Sequence, residues 1–482
     1  MQHWRSVIVA VAIFASFTTS TLVDYLSSDS RWENTHYSRT IDLQKSYVKE
    51  NNLIEAKNIN DKPQNEYFFT VNDGFGSISE ISVMSITLVN PSNIEIEFEE
   101  IIQNEVYRIV LPVPIAPKSS FEFKVSYVYI NTLQPLPAKL EMGDTQTILF
   151  KLNKFAYSPY PTTDYSLSFT GISKGQEMSL AINGNSTVTQ NVPDVRPRVE
   201  EKTLKYGPIA DVLEEFTVVP MGLLYEHNRP LGYVQNLNRS IWIPASEVNQ
   251  LSIEEYYELS NKAAELTTGF SRVEWLKGRF GTTRNHWALS HIEIPTFGND
   301  FADYYFTDLV GVVDTHSLVS DHLLLQPRFP LFGGWNYNFT LGWNNKLSDF
   351  VHKIHNTDDE YIIKVPILNS VRDVTYNNTY LTFYLPESAE FVNVSSPIEF
   401  ESITLENEFS YLDVSRGHVK VTIHFKNLFD DIHRLDILLR YKYSHASYLL
   451  KVFKISGFVF IGLISYYLLG LVDLSIETKK ST

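Results

Sequence analysis

Hydrophobic and polar side chains alternate with a period of two along much of this chain. Phe121, Phe123, Val125, Tyr127 and Tyr129 are separated by Glu122, Lys124, Ser126 and Val128, which predicts a half-buried strand with an aromatic inner face. Tyr165, Leu167 and Phe169 repeat the pattern. So do Val419, Val421, Ile423 and Phe425, and again Leu435, Ile437 and Leu439. Tyr107–Leu111 runs into Pro112, Pro114 and Pro117, which marks an edge or a turn. Ser252–Leu266 is rich in helix formers. Ile253, Glu255, Tyr257 and Leu259 also make one face of a strand, and strand is the expectation. The fold class expected is mainly β: two antiparallel β-sandwich-like domains followed by one transmembrane α-helix.

Two stretches break the alternation. Residues 7–17 are apolar, follow Arg5 and lead into small polar residues at 18–21, the layout of a secretory signal. Residues 455–472 carry no charge, and such a helix rises about 27 Å at ~1.5 Å per residue, enough to cross a thin bilayer. Lys451 and Lys454 precede it and are expected to snorkel toward headgroups. The expected organisation is a signal at 1–20, a first β domain at 21–205, a second at 206–450, the membrane helix at 455–472 and a cytosolic tail at 473–482. The division near 205 rests on Pro193, Pro197 and the charges between Arg196 and Lys202. The bulk of the chain is then lumenal. Lys479 and Lys480 resemble a di-lysine retrieval signal, which places the protein in the endoplasmic reticulum membrane as a single-pass type I protein.

Composition narrows the chemistry. There is no cysteine, so disulfides, thiolate metal sites and a Cys nucleophile are excluded. The net charge of −16 shows no basic stripe and argues against nucleic acid. Sequons at Asn185, Asn238, Asn338, Asn377 and Asn393 are candidate glycosylation sites. Gly171-Ile-Ser173-Lys-Gly175 matches a nucleophile-elbow pattern, but a hairpin signal at Asn183-Gly184 follows instead of a helix. His352 and His355 precede Asp358, Asp359 and Glu360, which reads as a solvated acidic loop. No catalytic, cofactor-binding or metal residues are assigned, and no cofactor is expected. One segment is locally unusual: Arg328, Phe329, Pro330, Leu331, Phe332, Gly333, Gly334 and Trp335. It is either a tight corner packed on its own domain or an aromatic platform for a partner.

These segments carry a resemblance. Tyr157–Thr162 (YSPYPT), Leu204–Pro208, Gly269–Arg272, Tyr304-Tyr305 with Asp308 and Gly311, and Arg328–Trp335 (RFPLFGGW) occur in this order. The chain thereby resembles the ribophorin I family of oligosaccharyltransferase subunits in its short fungal form. The resemblance implies a non-catalytic subunit of a complex that moves a preassembled oligosaccharide from dolichol pyrophosphate to Asn of Asn-X-Ser/Thr. It implies as partners the other subunits, including a polytopic catalytic one, nascent polypeptides and the translocon. It also implies roles in complex assembly and acceptor presentation. Two other readings stay open from the residues alone: a lumenal serine hydrolase built on Ser173, and a free-standing membrane-anchored receptor or adhesion protein.

Overall fold

The computed structural model describes Leu26 and residues 31–471, except 72–77, 79, 91–93, 173, 181–188, 190–191, 246–248, 281–286, 297–300, 356, 358 and 411–412. The alternating segments form strands. Ser120–Ile130 and Tyr165–Thr170 bury the odd-numbered aromatics and leucine named above. Leu251–Asn261 is a strand whose buried face includes Ile253, Glu255, Tyr257 and Leu259. Period two therefore outweighs helix propensity there, because both large flanking strands pair with it.

The strands assemble into two sets of sheets with the same plan. Each set has one eight-stranded, one four-stranded and one three-stranded sheet. Across the first large sheet the order is Arg198–Glu200, Thr203–Ile209, Tyr165–Thr170, Trp32–Asp42, Val48–Asn58, Ser120–Ile130, Glu80–Asn90, Ile94–Glu95. Across the second it is Ser402–Glu408, His418–Phe429, Val374–Tyr384, Gly232–Trp242, Leu251–Asn261, Asn336–Asn345, Ala302–Asp308, Gly311–Val312. In both, the fourth strand is parallel to the third and antiparallel to the fifth. In both, the fourth strand carries a bulge near its start, at Asn34/His36 and at Val234/Leu237. The chain is a structural tandem repeat. Strands Thr203–Ile209 and Pro220–Glu226 pair inside the first set, so strand pairing carries the first unit past residue 205 and the next unit opens at Gly232–Trp242.

Corresponding arginines lie in the two cores. Arg39 makes a bidentate pair with Glu50, Nε–Oε1 2.7 Å and Nη2–Oε2 3.1 Å, and its Nη1 donates to Asn153 O at 2.8 Å. Arg239 lies 3.2 Å from Glu255 and its Nη1 donates to Pro366 O at 2.9 Å. All four charged residues are buried. Each arginine ties its large sheet to the last residue of a strand in the four-stranded sheet, Thr147–Asn153 or Glu360–Pro366. Burial pushes the Glu255 carboxyl up to about 7, against the opposing pull of Arg239 and the Tyr257 hydroxyl.

The two units are joined through side chains and backbone. Lys139–Leu140 pairs in parallel with Glu265–Leu266. Gln146 Nε2 donates to His227 O (2.9 Å) and Arg229 O (3.0 Å), and its Oε1 accepts from Ala264 N (2.8 Å). On the other side of the joint, Lys45 bonds Asp430 (2.8 Å) and Asp431 (2.9 Å), while Tyr47 packs on Phe429 at 5.1 Å. Ser46 N donates to Asp373 Oδ1 at 2.8 Å. Apolar residues of each unit enter the core of the other: Phe332 and Trp287 join the first, Tyr47 and Ile130 the second. Such an interface holds the units as one body rather than as beads on a linker.

The C-terminal helix spans His445–Leu471. It begins ten residues before the expected apolar run, so its first turns stand outside the uncharged stretch. None of its residues is buried, and its length and hydropathy suit a membrane span.

Candidate functional site

Three of the singled-out segments, distant in sequence, converge at one corner of the second unit. Asp308 ends strand Ala302–Asp308. Its Oδ1 accepts from Val310 N (2.9 Å) and Gly311 N (3.1 Å), closing a tight hairpin in which Gly311 has φ +137°. Its Oδ2 accepts from Arg328 Nε (2.5 Å) and from the Tyr337 hydroxyl (3.2 Å). Arg328 Nη2 donates to Val312 O at 2.9 Å. Desolvation opposes ionisation of Asp308, but Arg328 and the two amides outweigh it and hold its carboxyl below the usual range.

The rest of the RFPLFGGW segment turns inward. Leu331 exchanges two backbone hydrogen bonds with Leu289, at 2.8 and 2.9 Å. Phe332 is fully buried amid rings from Trp287 (5.0 Å), Trp275 and Trp335 (both 5.7 Å) and Phe270 (5.9 Å). Most of these pairs are edge-to-face, the favoured arrangement. Phe270 comes from the Gly269–Arg272 segment, where Ser271 Oγ accepts from Glu274 N (3.3 Å) at the start of helix Arg272–Phe280. A Cβ on Gly333 would overlap the carbonyl oxygens of Ala263 and Ala264. Gly334 takes φ +77° and donates its N–H to Asn261 O at 2.8 Å. Asn261 satisfies this corner completely: its Nδ2 donates to Trp287 O and Leu331 O (both 2.9 Å), and its Oδ1 accepts from Leu231 N and Ala263 N (both 3.0 Å). Phe329 and Pro330 lie at the rim; Phe329 meets Trp335 and Tyr337 edge-on, both at 5.8 Å.

The corner thus faces two ways. Its inner side closes the joint between units, with Trp287 Nε1 donating to Asp144 O at 3.1 Å. Its outer side presents the hairpin tip, where Leu309 and Val310 are 83% and 81% exposed. Val312 is exposed beside them. Sequence reasoning named the motif residues, Asp308 among them, but missed Asn261, Ala263 and Trp287 as their supports.

The Tyr157–Thr162 segment is a second corner, inside the first unit. Asn34 Nδ2 donates to Ser158 Oγ (3.0 Å) and Thr162 Oγ1 (3.2 Å), and Tyr160 is buried with its hydroxyl accepting from Phe68 N (3.2 Å). In Leu204–Pro208, a Cβ on Gly207 (φ +95°) would press on Tyr165 O at 2.8 Å.

The membrane junction is built on ion pairs. Lys451, in the second turn of the membrane helix, bonds Glu387 (2.8 Å) and Asp413 (3.0 Å). The expected snorkelling of Lys451 into headgroups gives way to this pairing, because both carboxylates are buried in the second unit beside it. Glu387 also accepts from Val414 N (2.8 Å) and Ser415 N (2.6 Å). Burial works against its ionisation, but Lys451, Ser415 and the amide win and hold the carboxyl down at about 2. A depressed pKa contributes stability above the unfolded value near 4.5 that is lost as pH falls toward about 2. Lys451→Ala leaves the buried Glu387 carboxylate without its cation and leaves Asp413 beside the His418 imidazole at 3.1 Å. We expect a loss of about 3 kcal/mol or more, read as a lower unfolding temperature and faster proteolysis at the 440–447 segment, with Lys451→Arg close to wild type.

The other candidate residues are dispersed. Asn238, Asn338 and Asn377 lie on strands of the second large sheet, and Asn393 on Glu390–Ser395. Asn238 and Asn393 are exposed, the other two partly buried. Asn185, Ser173, Lys479, Lys480 and the 1–20 signal lie outside the described residues. Tyr165–Thr170 precedes the Gly171–Gly175 pattern and another strand, Gly175–Ser179, follows it; an elbow requires a helix there. His352 lies on strand Val351–Lys353. Among the described residues no three His, Asp or Glu gather as a metal-ligand group.

The family model for Ribophorin I matches residues 32–470. Dolichyl-diphosphooligosaccharide–protein glycosyltransferase subunit 1 of Schizosaccharomyces pombe is 25% identical over 429 residues, covering 87% of this chain and 91% of the relative. The Caenorhabditis elegans protein of that name is 23% identical over 448 residues, covering 91% of this chain and 72% of the relative. Among solved structures, an M1 zinc metallopeptidase from Deinococcus radiodurans aligns over 44% of this chain and 42% of its own, at 12% identity and a TM-score of 0.25, too low to bear on the fold. With the family model spanning both repeats and the membrane helix, the chain belongs to the ribophorin I family.

Proposed function

We propose that this protein is a membrane-anchored, non-catalytic subunit of dolichyl-diphosphooligosaccharide–protein glycosyltransferase in the endoplasmic reticulum, with its two β units in the lumen. The observation that carries the reading is the family match over residues 32–470, joined by relatives that bear the subunit 1 name. Protein N-glycosylation is then the process served, and the other subunits are the partners.

The geometry suits a scaffold. Two cores share aromatic and ionic contacts across a broad joint, and Lys451 ties the second unit to the membrane helix. A rigid body on a fixed anchor sets the height and orientation of whatever docks on it. The Leu309–Val310 tip is the surface we assign to a neighbouring subunit, and nascent acceptor chains are the other expected contact. A non-catalytic role agrees with the fate of the perturbed acid Glu255. A shifted pKa in a cleft marks a functional candidate, but Glu255 has no exposed surface and faces Arg239 and Tyr257. Substrate has no route to it.

Depleting the protein tests the role. Secretory glycoproteins should lose occupancy at many sequons, read as faster gel mobility that endoglycosidase treatment cannot change further. Full occupancy after depletion contradicts the proposal. The serine hydrolase reading would instead require Ser173→Ala to reproduce the depletion phenotype.

A further inference from the structure

The outer face of the second large sheet differs from its counterpart in the first unit in one concerted way. Asn238 lies near the middle of that face and is exposed. Its register partners are Tyr256 on one side and Tyr380 on the other. Directly opposed side chains in a sheet sit about 5 Å apart, so the two phenols flank the asparagine amide. Tyr380 is stacked on His424 at 4.6 Å and 9°, which fixes its ring. Asn338 Nδ2 donates to the Tyr256 hydroxyl at 3.1 Å, which fixes the other. Two residues along the strand, Ser240 completes the sequon Asn238-Arg239-Ser240 on the same face. Four residues along, about 13 Å at ~3.3 Å per residue, Trp242 and Tyr384 are stacked at 5.2 Å and 6°.

In the first unit the tripeptide at the same place is Ser38-Arg39-Thr40. Ser38 there pairs with Leu53 and Ser166. The fold therefore requires neither the asparagine nor the tyrosines. They arrive together in one repeat and are missing together from the other. Arg239, the middle residue of the sequon, points into the core in both repeats and serves the fold.

We propose that Asn238 carries an N-glycan whose first sugars lie between Tyr256 and Tyr380, so that sugar covers this face. Pyranose rings expose flat patches of C–H that suit the electron-rich faces of phenols, and Asn236, Glu258 and Asn378 offer hydrogen-bonding groups in the adjoining row. In the attachment step, Asn238 Nδ2 bonds to C1 of the first sugar of a dolichyl diphosphooligosaccharide. The C1–O bond to the diphosphate breaks, dolichyl diphosphate leaves with the electron pair, and the amide loses one proton. The inference rests on the lumenal placement proposed above.

The full chain, purified from its host in mild detergent, is treated with peptide N-glycosidase in heavy-oxygen water and mapped by mass spectrometry. A heavy-oxygen aspartate at 238 is expected. An unlabelled Asn238 beside a labelled Asn393 overturns the inference and leaves the lumenal placement standing. No label at any sequon contradicts both. Seating is read separately by thermal unfolding. The paired change Tyr256→Ala with Tyr380→Ala should lower the melting temperature by about 2–4 °C more in the glycosylated protein than in Asn238→Gln or Ser240→Ala. Equal losses in all three backgrounds overturn the seating.

Discussion

Gly333→Ala is expected to prevent the protein from accumulating. The added methyl would stand inside the carbonyl oxygens of Ala263 and Ala264. These are backbone atoms, so no side chain can swing aside. Residues 263–264 are held in turn: Ala264 N is bound to Gln146 of the other unit, and Ala263 N to Asn261. Relief would require the corner to lift away from the joint, uncovering Phe332 and Trp287. Exposing two such rings costs several kcal/mol, and net stability of a domain is only about 5–15 kcal/mol. Pulse–chase measurement should show rapid degradation of the variant. Gly334→Ala is the control. Its Cβ meets only the Glu265 side chain, at 3.4 Å or beyond, and the cost is the strain of φ +77°, about 1–2 kcal/mol. Normal levels of Gly333→Ala would mean that the corner is not the joint described above.

Arg239→Ala is expected to produce the second largest loss, about 3–5 kcal/mol. Removing the guanidinium leaves Glu255 without a cation in a site that already pushes its carboxyl toward neutrality. It also removes the donor to Pro366 O that links the large and four-stranded sheets. The loss has a signature. Glu255→Gln added to Arg239→Ala should recover a substantial part of the stability, because an amide costs less to bury than a stranded carboxylate. Chemical denaturation of the four variants reads this coupling directly. Additive losses would show that the pair does not act as a unit. Arg39→Ala is expected to behave alike in the first unit, since Arg39 holds Glu50 and Asn153 O in the corresponding way.

How much of this was legible in the sequence follows from what is local. The alternations at 121–129 and 253–259 announced strands because each residue's neighbours two places away share its face. The repeat was not legible. The identities its corresponding strands share, among them Arg39 with Arg239, Ile41 with Ile241, Leu167 with Leu381, Phe169 with Phe383 and Asn58 with Asn261, are scattered too thinly to stand out. The acid partner has even moved, from Glu50 in one unit to Glu255, opposite the arginine, in the other. Prolines 193 and 197 suggest a division by composition, yet the strands after them return to the first set of sheets. That return depends on partners more than thirty residues earlier, which composition does not reveal. At the corner, the aromatics and the Gly pair were visible as an oddity, but the reason for Gly333 is the connection at residues 263–264 between strands Leu251–Asn261 and Glu265–Leu266. Lys451 carried an ambiguous signal: a lysine at the edge of a membrane span looks the same whether it meets lipid phosphates or buried carboxylates.

The central claim is that this chain works as one subunit of a glycosyltransferase assembly. Affinity purification of the tagged, full-length protein in mild detergent, with the co-purifying chains identified and the eluate assayed for oligosaccharide transfer to an Asn-X-Thr peptide, tests it most directly. The account predicts near-stoichiometric recovery of the other subunits, with transfer activity that disappears when this chain is stripped away from them. Recovery of the chain by itself, with full activity remaining in the unbound subunits, would contradict it.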